Sequence, residues 1–104
     1  MEQLCFSFDG LESSDRGVYA IAGVVASGDV EILVERHALD GRCEIDIRTS
    51  VHGFETTWRA VMQRFVATRP LANTRVIVND SGATPAVVSL RLAQAAQALD
   101  EAPE

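Results

Sequence analysis

The apolar residues of this 104-residue chain change their spacing partway along. In the first half they alternate with polar residues, as in Cys43, Ile45 and Ile47 against Glu44, Asp46 and Arg48. From Phe54 they recur at three and four. A period of two sends successive side chains to opposite faces of a strand, whereas a period near 3.6 gathers them on one stripe of a helix. A chain of strands followed by helices must lay the helices on the sheet to bury both apolar surfaces.

Leu4, Phe6 and Phe8 alternate with Cys5 and Ser7 ahead of Asp9-Gly10, which predicts a short first strand closed by a turn. Leu11 to Arg16 reads as a polar surface loop. Gly17 to Ala26, GVYAIAGVVA, is rich in small and β-branched residues, and Val30 to Glu35 alternates Val30, Ile32 and Val34 with Glu31, Leu33 and Glu35. Ser27-Gly28-Asp29 separates these two strand-like runs, so a β-hairpin is expected with Ser27 at or beside its tip. After a loop from His37 to Arg42, the run from Cys43 to Arg48 is a further strand with one face buried. Phe54, Trp58, Val61, Met62 and Phe65 then define the buried stripe of a helix that ends at Arg69-Pro70. Val76 to Val78 predicts another strand, followed by a turn at Asn79-Asp80-Ser81-Gly82. Thr84 as cap with Pro85 at the first helical position starts a second helix, whose buried stripe is Val88, Leu92, Ala95 and Leu99. The expected architecture is α+β: a mainly antiparallel sheet with two helices on one face, a single domain over residues 1–104 with Glu101 to Glu104 as a frayed tail.

The length allows one core and burial of about two-thirds of the unfolded surface, which suits a module better than an enclosed multi-layer active site. Nine arginines, no lysine and 15 acidic residues give a net charge of -6, with no basic stripe to follow a nucleic-acid backbone. The charge instead favours encounters with electropositive protein faces. Neither a basic leader nor an apolar run of ~18 residues is visible, so a cytosolic location away from membranes is expected. Cys5 and Cys43 have neither redox nor zinc spacing and read as buried free thiols.

His37 and His52 are the first candidates for catalysis, yet neither has a metal-ligand partner at short spacing, and both read as exposed loop residues. Glu31 with Glu35 and Glu44 with Asp46 read as outward faces of strands rather than catalytic pairs. The seven glycines form no phosphate-binding fingerprint. Ser27 remains. Ser-Gly-Asp is ordinary turn chemistry, but a hydroxyl at the tip of a hairpin is also exposed and backed by a rigid sheet, as an attachment point requires. Ser13-Ser14 competes with it, without such support.

Three segments, GVVASGDVEILVE (residues 23–35), RTSVHGFETTWRAVMQRF (48–65) and VIVNDSGATPAVVSLRLAQA (76–95), resemble the acyl-carrier (delta) subunit family of malonate decarboxylase. The resemblance covers most of the chain. SGDVEI also looks like the attachment region of the related citrate lyase gamma subunit. The resemblance implies that Ser27 is joined through a phosphodiester to 2'-(5''-phosphoribosyl)-3'-dephospho-CoA, with Gly28 and Asp29 as turn and recognition residues. It implies a carrier with no chemistry of its own, which presents acetyl and malonyl thioesters to a malonate/acetyl transferase subunit and to malonyl-carrier decarboxylase subunits. A dedicated prosthetic-group transferase would load the arm, with Asp29 as its handle, through a metal ion or directly. The Asp-Ser-Leu attachment site of helical acyl carrier proteins is missing, so that class does not transfer.

Two readings stand beside it: a citrate lyase-type carrier, disfavoured by the Asn79-to-Pro85 segment, and a non-catalytic interaction domain in which Ser27 is only a turn residue. A hydrolase built on Ser27 with His37 or His52 lacks an identifiable orienting acid and oxyanion hole.

Overall fold

The computed structural model describes residues 1–13 and 17–101. Five strands, β1 (Glu2–Asp9), β2 (Tyr19–Gly23), β3 (Val30–Arg36), β4 (Arg42–Thr49) and β5 (Thr74–Asp80), form one sheet in the order β1-β4-β5-β3-β2. Helix α1 (Glu55–Ala67) connects β4 to β5, and α2 (Pro85–Glu101) closes the chain. β1 with β4, β2 with β3 and β3 with β5 pair antiparallel. β4 and β5 run parallel, because the α1 crossover returns the chain to the end from which it came.

The α+β expectation therefore holds, with one parallel ladder in a mainly antiparallel sheet. Parity decides which residues go inside. Leu4, Phe6, Ile32, Val34, Cys43, Ile45, Ile47, Val76 and Val78 share the face covered by the helices and are buried there. The same parity corrects the expectation for Cys5, which is exposed: it points away from Leu4 and Phe6 and faces Asp46 across the ladder. Cys43 lies in phase with Ile45 and is buried.

Helix α1 buries Trp58, Met62, Phe65 and Val66. Phe54 was expected on this stripe but is half exposed, because it is the N-cap residue, with φ -112° and ψ 26°, outside the helical turn. The helix stops before Pro70, and the Thr68 hydroxyl donates to the Arg64 and Phe65 carbonyls. At α2, Thr84 Oγ1 accepts from Val87 N–H at 3.3 Å and its carbonyl accepts from Val88 N–H, so Thr84 caps the helix as its sequence predicts. Its buried stripe is Val88, Leu92, Ala95, Ala96 and Leu99. The helix includes Glu101, so the rest of the expected tail, 102–104, lies outside the described residues. No helix among the described residues is long and apolar enough to cross a membrane.

Candidate functional site

The strand expected over Gly17 to Ala26 is shorter in the structure and stops at Gly23. Gly23 has φ +79°, and a Cβ there would lie 1.9 Å from the Val30 carbonyl oxygen, so the chain leaves the ladder at a point only glycine tolerates. Val24 to Asp29 then form the hairpin connection. Asp29 N–H donates to the Ala26 carbonyl at 2.9 Å, and Gly28 has φ +76°. An i to i+3 hydrogen bond with positive φ at the third position is the signature of a type II turn. Ser27 is its second residue and is exposed, as is Gly28.

The turn is fixed from two sides. Gly28 N–H donates to the Ser81 carbonyl at 2.8 Å, and Ser81 N–H donates to the Asp29 carbonyl at 3.0 Å. Ser81 is itself held by its buried neighbour Asp80. Asp80 Oδ2 accepts from Thr49 Oγ1 at 2.8 Å and from Gly82 N–H at 3.2 Å, and Oδ1 accepts from Ala83 N–H at 3.0 Å. On the other side Arg91, from α2, donates through Nε to Asp29 Oδ1 at 3.3 Å and through Nη2 to Oδ2 at 3.2 Å. Asp29 Oδ1 also accepts from Val30 N–H at 2.7 Å. The Arg91 pair, with help from that N–H, holds the Asp29 carboxyl below its ordinary pKa.

Ser27, Gly28 and Asp29 are thus together in one turn. Both oxygens of Asp29, expected as the recognition residue and handle, are engaged by Arg91, and its side chain stays partly exposed. Sequence reasoning missed Arg91 and Asp80 as members of the site. The only sequence sign of Arg91 is its place on the flank of the α2 stripe, three residues after Val88. The serine that competes with Ser27, Ser13, donates to the Ala72 carbonyl at 3.0 Å, and Ser14 lies outside the described residues.

His37 follows β3 whereas Ser27 precedes it, which places them at opposite ends of a seven-residue strand, roughly 20 Å apart. His52 is exposed in the segment after β4, and among the described residues no hydrogen bond links either histidine to Ser27. No group of three His, Cys, Asp or Glu side chains among the described residues is arranged to hold a metal ion. Glu31, Glu35, Glu44 and Asp46 lie on the sheet face away from the helices, and Glu44 faces Arg75 at 3.7 Å.

Residues 18–99 match the family described as malonate decarboxylase delta subunit (MdcD), an acyl carrier protein. The chain is 52% identical over 103 residues to the malonate decarboxylase acyl carrier protein of Xanthomonas axonopodis pv. citri (strain 306), covering 98% of both chains. It is 47% identical over 100 residues to the acyl carrier protein of the same name from Stenotrophomonas maltophilia (strain R551-3), covering 95% of this chain and 94% of the relative. Among solved structures, a chain of a Pseudomonas malonate decarboxylase hetero-tetramer in complex with malonate superposes with a TM-score of 0.83 at 36% identity, covering 95% of this chain and 99% of that one. The chain belongs to the malonate decarboxylase delta-subunit family of acyl carrier proteins.

Proposed function

We propose that this chain carries acetyl and malonyl groups as thioesters on a phosphoribosyl-dephospho-CoA arm joined to Ser27 by a phosphodiester, and that it performs no bond-making step itself. The observation that carries the reading is the placement of Ser27: an exposed hydroxyl at the second position of a turn whose base is tied to Ser81 and Arg91. The residues present fit such a group. Among the described residues nothing lies within 4 Å of where a Cβ on Gly28 would be, so the residue after Ser27 is open on that side. The Asp29 carboxylate, which would repel a phosphodiester two residues away, is neutralised by Arg91. When bound, the group supplies a thiol that holds an acyl group in exchangeable form.

The chain's own residues would hold the attachment oxygen at a fixed place on the rim of the sheet, accessible to an incoming transferase. Among the described residues no base is bonded to the Ser27 hydroxyl, and the loading enzyme would activate it. Tethering raises the local concentration of the acyl group at each partner site without new contacts.

The partners in this reading are a malonate/acetyl transferase subunit, malonyl-carrier decarboxylase subunits and the prosthetic-group transferase, all in the cytoplasm. Support for docking beside the turn comes from the exposed apolar side chains of Val24 and Val25, which immediately precede it, and of Ile21 in β2. Clusters of this kind mark protein contacts.

The test is the mass of the peptide containing Ser27, after co-expression with the loading transferase and after expression alone. A phosphoribosyl-dephospho-CoA increment on Ser27 in the first sample only, with turnover of the assembled complex abolished by Ser27→Ala, is expected. An unmodified Ser27 beside active transferase, or full turnover by Ser27→Ala, would return the residue to an ordinary turn position and the chain to a non-catalytic interaction domain.

A further inference from the structure

At the carboxyl ends of the parallel strands β4 and β5, a cavity of about 410 Å³ opens between the first turns of α1 and α2. This is the end of an α/β unit at which ligands bind, and the volume falls within the ~300–1,000 Å³ of small-molecule pockets. Phe54, Trp58, Val61, Pro85 and Val88 give it an apolar, partly aromatic wall. Among the described residues Asp80 is the one charged residue in the lining, and its oxygens already accept from Thr49, Gly82 and Ala83. The wall suits a flat, uncharged ring and is unsuited to a phosphate.

The cavity shares a loop with the Ser27 turn. Asp80 and Gly82 line it, and Ser81 between them makes the two backbone hydrogen bonds to Gly28 and Asp29. Two Cα steps and one hydrogen-bonded crossing separate Ser27 from Gly82, roughly 13 Å along that path. Outward from the serine, the arm consists of a phosphate, two linked riboses, adenine on the second, and then the pyrophosphate and pantetheine. Adenine is the first apolar group along it. The thiol lies at the far end and must reach other subunits.

We propose that this cavity takes the adenine ring of the carrier's own arm, against Phe54 and Trp58, so that the arm is anchored near its base and only the pantetheine end swings. The inference rests on the attachment to Ser27 proposed above. It gives Phe54 a purpose: a half-exposed aromatic ring at the mouth of α1, without a capping hydrogen bond from its side chain, becomes one wall of a stacking site.

Trp58 is the chain's single tryptophan and lines the cavity, so its emission reads occupancy directly. The experiment compares Trp58 emission of the unloaded and arm-loaded chain, and titrates the unloaded chain with dephospho-CoA, adenosine and pantetheine. Quenching in the loaded chain is expected, with saturable quenching by dephospho-CoA and adenosine but none by pantetheine. Phe54→Ala, at an exposed position, should keep the fold by circular dichroism and weaken the adenosine response at least tenfold. Ala83→Leu, which fills the cavity from its other wall, should abolish it.

Identical emission in unloaded and loaded chains, with the arm found on Ser27 by mass, overturns the cavity assignment and leaves the carrier reading standing. A response to pantetheine and none to adenosine overturns it as well. An unmodified Ser27 beside active transferase instead removes the attachment, and the tethered occupant with it.

Discussion

Arg91 and Asp29 form a two-pronged ion pair, Nε to Oδ1 at 3.3 Å and Nη2 to Oδ2 at 3.2 Å, which ties the middle of α2 to the residue two after Ser27. Both side chains remain partly exposed, at 29% and 22%, so solvent screens the pair and it serves to orient more than to stabilise. Arg91→Met is therefore expected to lower stability only slightly in urea titration. If Ser27 is the attachment residue proposed above, its rate of modification by a loading transferase should fall, and Arg91→Lys should recover only part of it, because an ammonium cannot reproduce the fork.

The same pair has a pH signature. Asp29 titrates below its ordinary value of 3.8, held there first by Arg91 and then by the Val30 N–H. A carboxylate whose folded pKa is depressed contributes stability that is complete above the unfolded pKa and is lost as pH falls through the folded one. Urea midpoints of the wild type and Asp29→Asn should differ at neutral pH and converge as pH drops below 3.8. A constant gap across that range would show that the difference has another cause.

Gly23 and Gly28 both have positive φ, yet substitution should separate them. Alanine at Gly28 meets nothing within 4 Å and is charged only the left-handed backbone penalty, about 1 kcal/mol. Alanine at Gly23 adds an overlap with the Val30 carbonyl, which lies 1.9 Å from the new Cβ, so a loss above about 3 kcal/mol is expected. Chemical denaturation of the two variants checks the order.

What the sequence made legible follows from which interactions are local. The parity of Leu4 and Phe6, the Thr84-Pro85 helix start and the hairpin tip at Ser27 each depend on neighbours within a few positions, and each is present in the structure. The depth of the Ser27 site was not legible, because Arg91 meets Asp29 across 62 positions and Asp80 meets Thr49 across 31. An arginine beside an apolar helix stripe does not reveal which acid it will face. Phe54 was misplaced because its exposure is decided by the N-cap conformation, and Cys5 because it was read by residue type although its alternation with Leu4 and Phe6 already put it on the other face.

The two cysteines provide a direct check on that parity. Burial, with a smaller contribution from Glu44, pushes the Cys43 thiol up to about 12, whereas Cys5 is open to solvent. Because only the thiolate reacts, a maleimide or iodoacetamide should label one thiol per native chain, at Cys5, and two in denaturant. Since the unfolded thiol titrates near 9.0, the folded state binds the extra proton between the two values, and stability should decline as pH rises from 9.0 toward 12. Cys43→Ala should remove this alkaline decline.

Asp80 is the residue through which the cavity and the turn depend on each other. Its buried carboxylate receives the Thr49 hydroxyl and the N–H groups of Gly82 and Ala83, and so shapes the loop that offers Ser81 to Gly28. Asp80→Ala leaves the Gly82 and Ala83 N–H groups without their acceptor, at about 1 kcal/mol each, while the Thr49 hydroxyl keeps the Val51 carbonyl at 3.4 Å, so a total loss of about 2 kcal/mol is expected. Asp80→Asn keeps one acceptor oxygen and should lose less. In the alanine variant the loop relaxes first where it holds the turn, so the Gly28 amide, bonded to the Ser81 carbonyl at 2.8 Å in the intact chain, should exchange with solvent faster than the amides of the β3–β5 ladder. Equal acceleration at all of them would mean that Asp80 supports the fold as a whole rather than this turn.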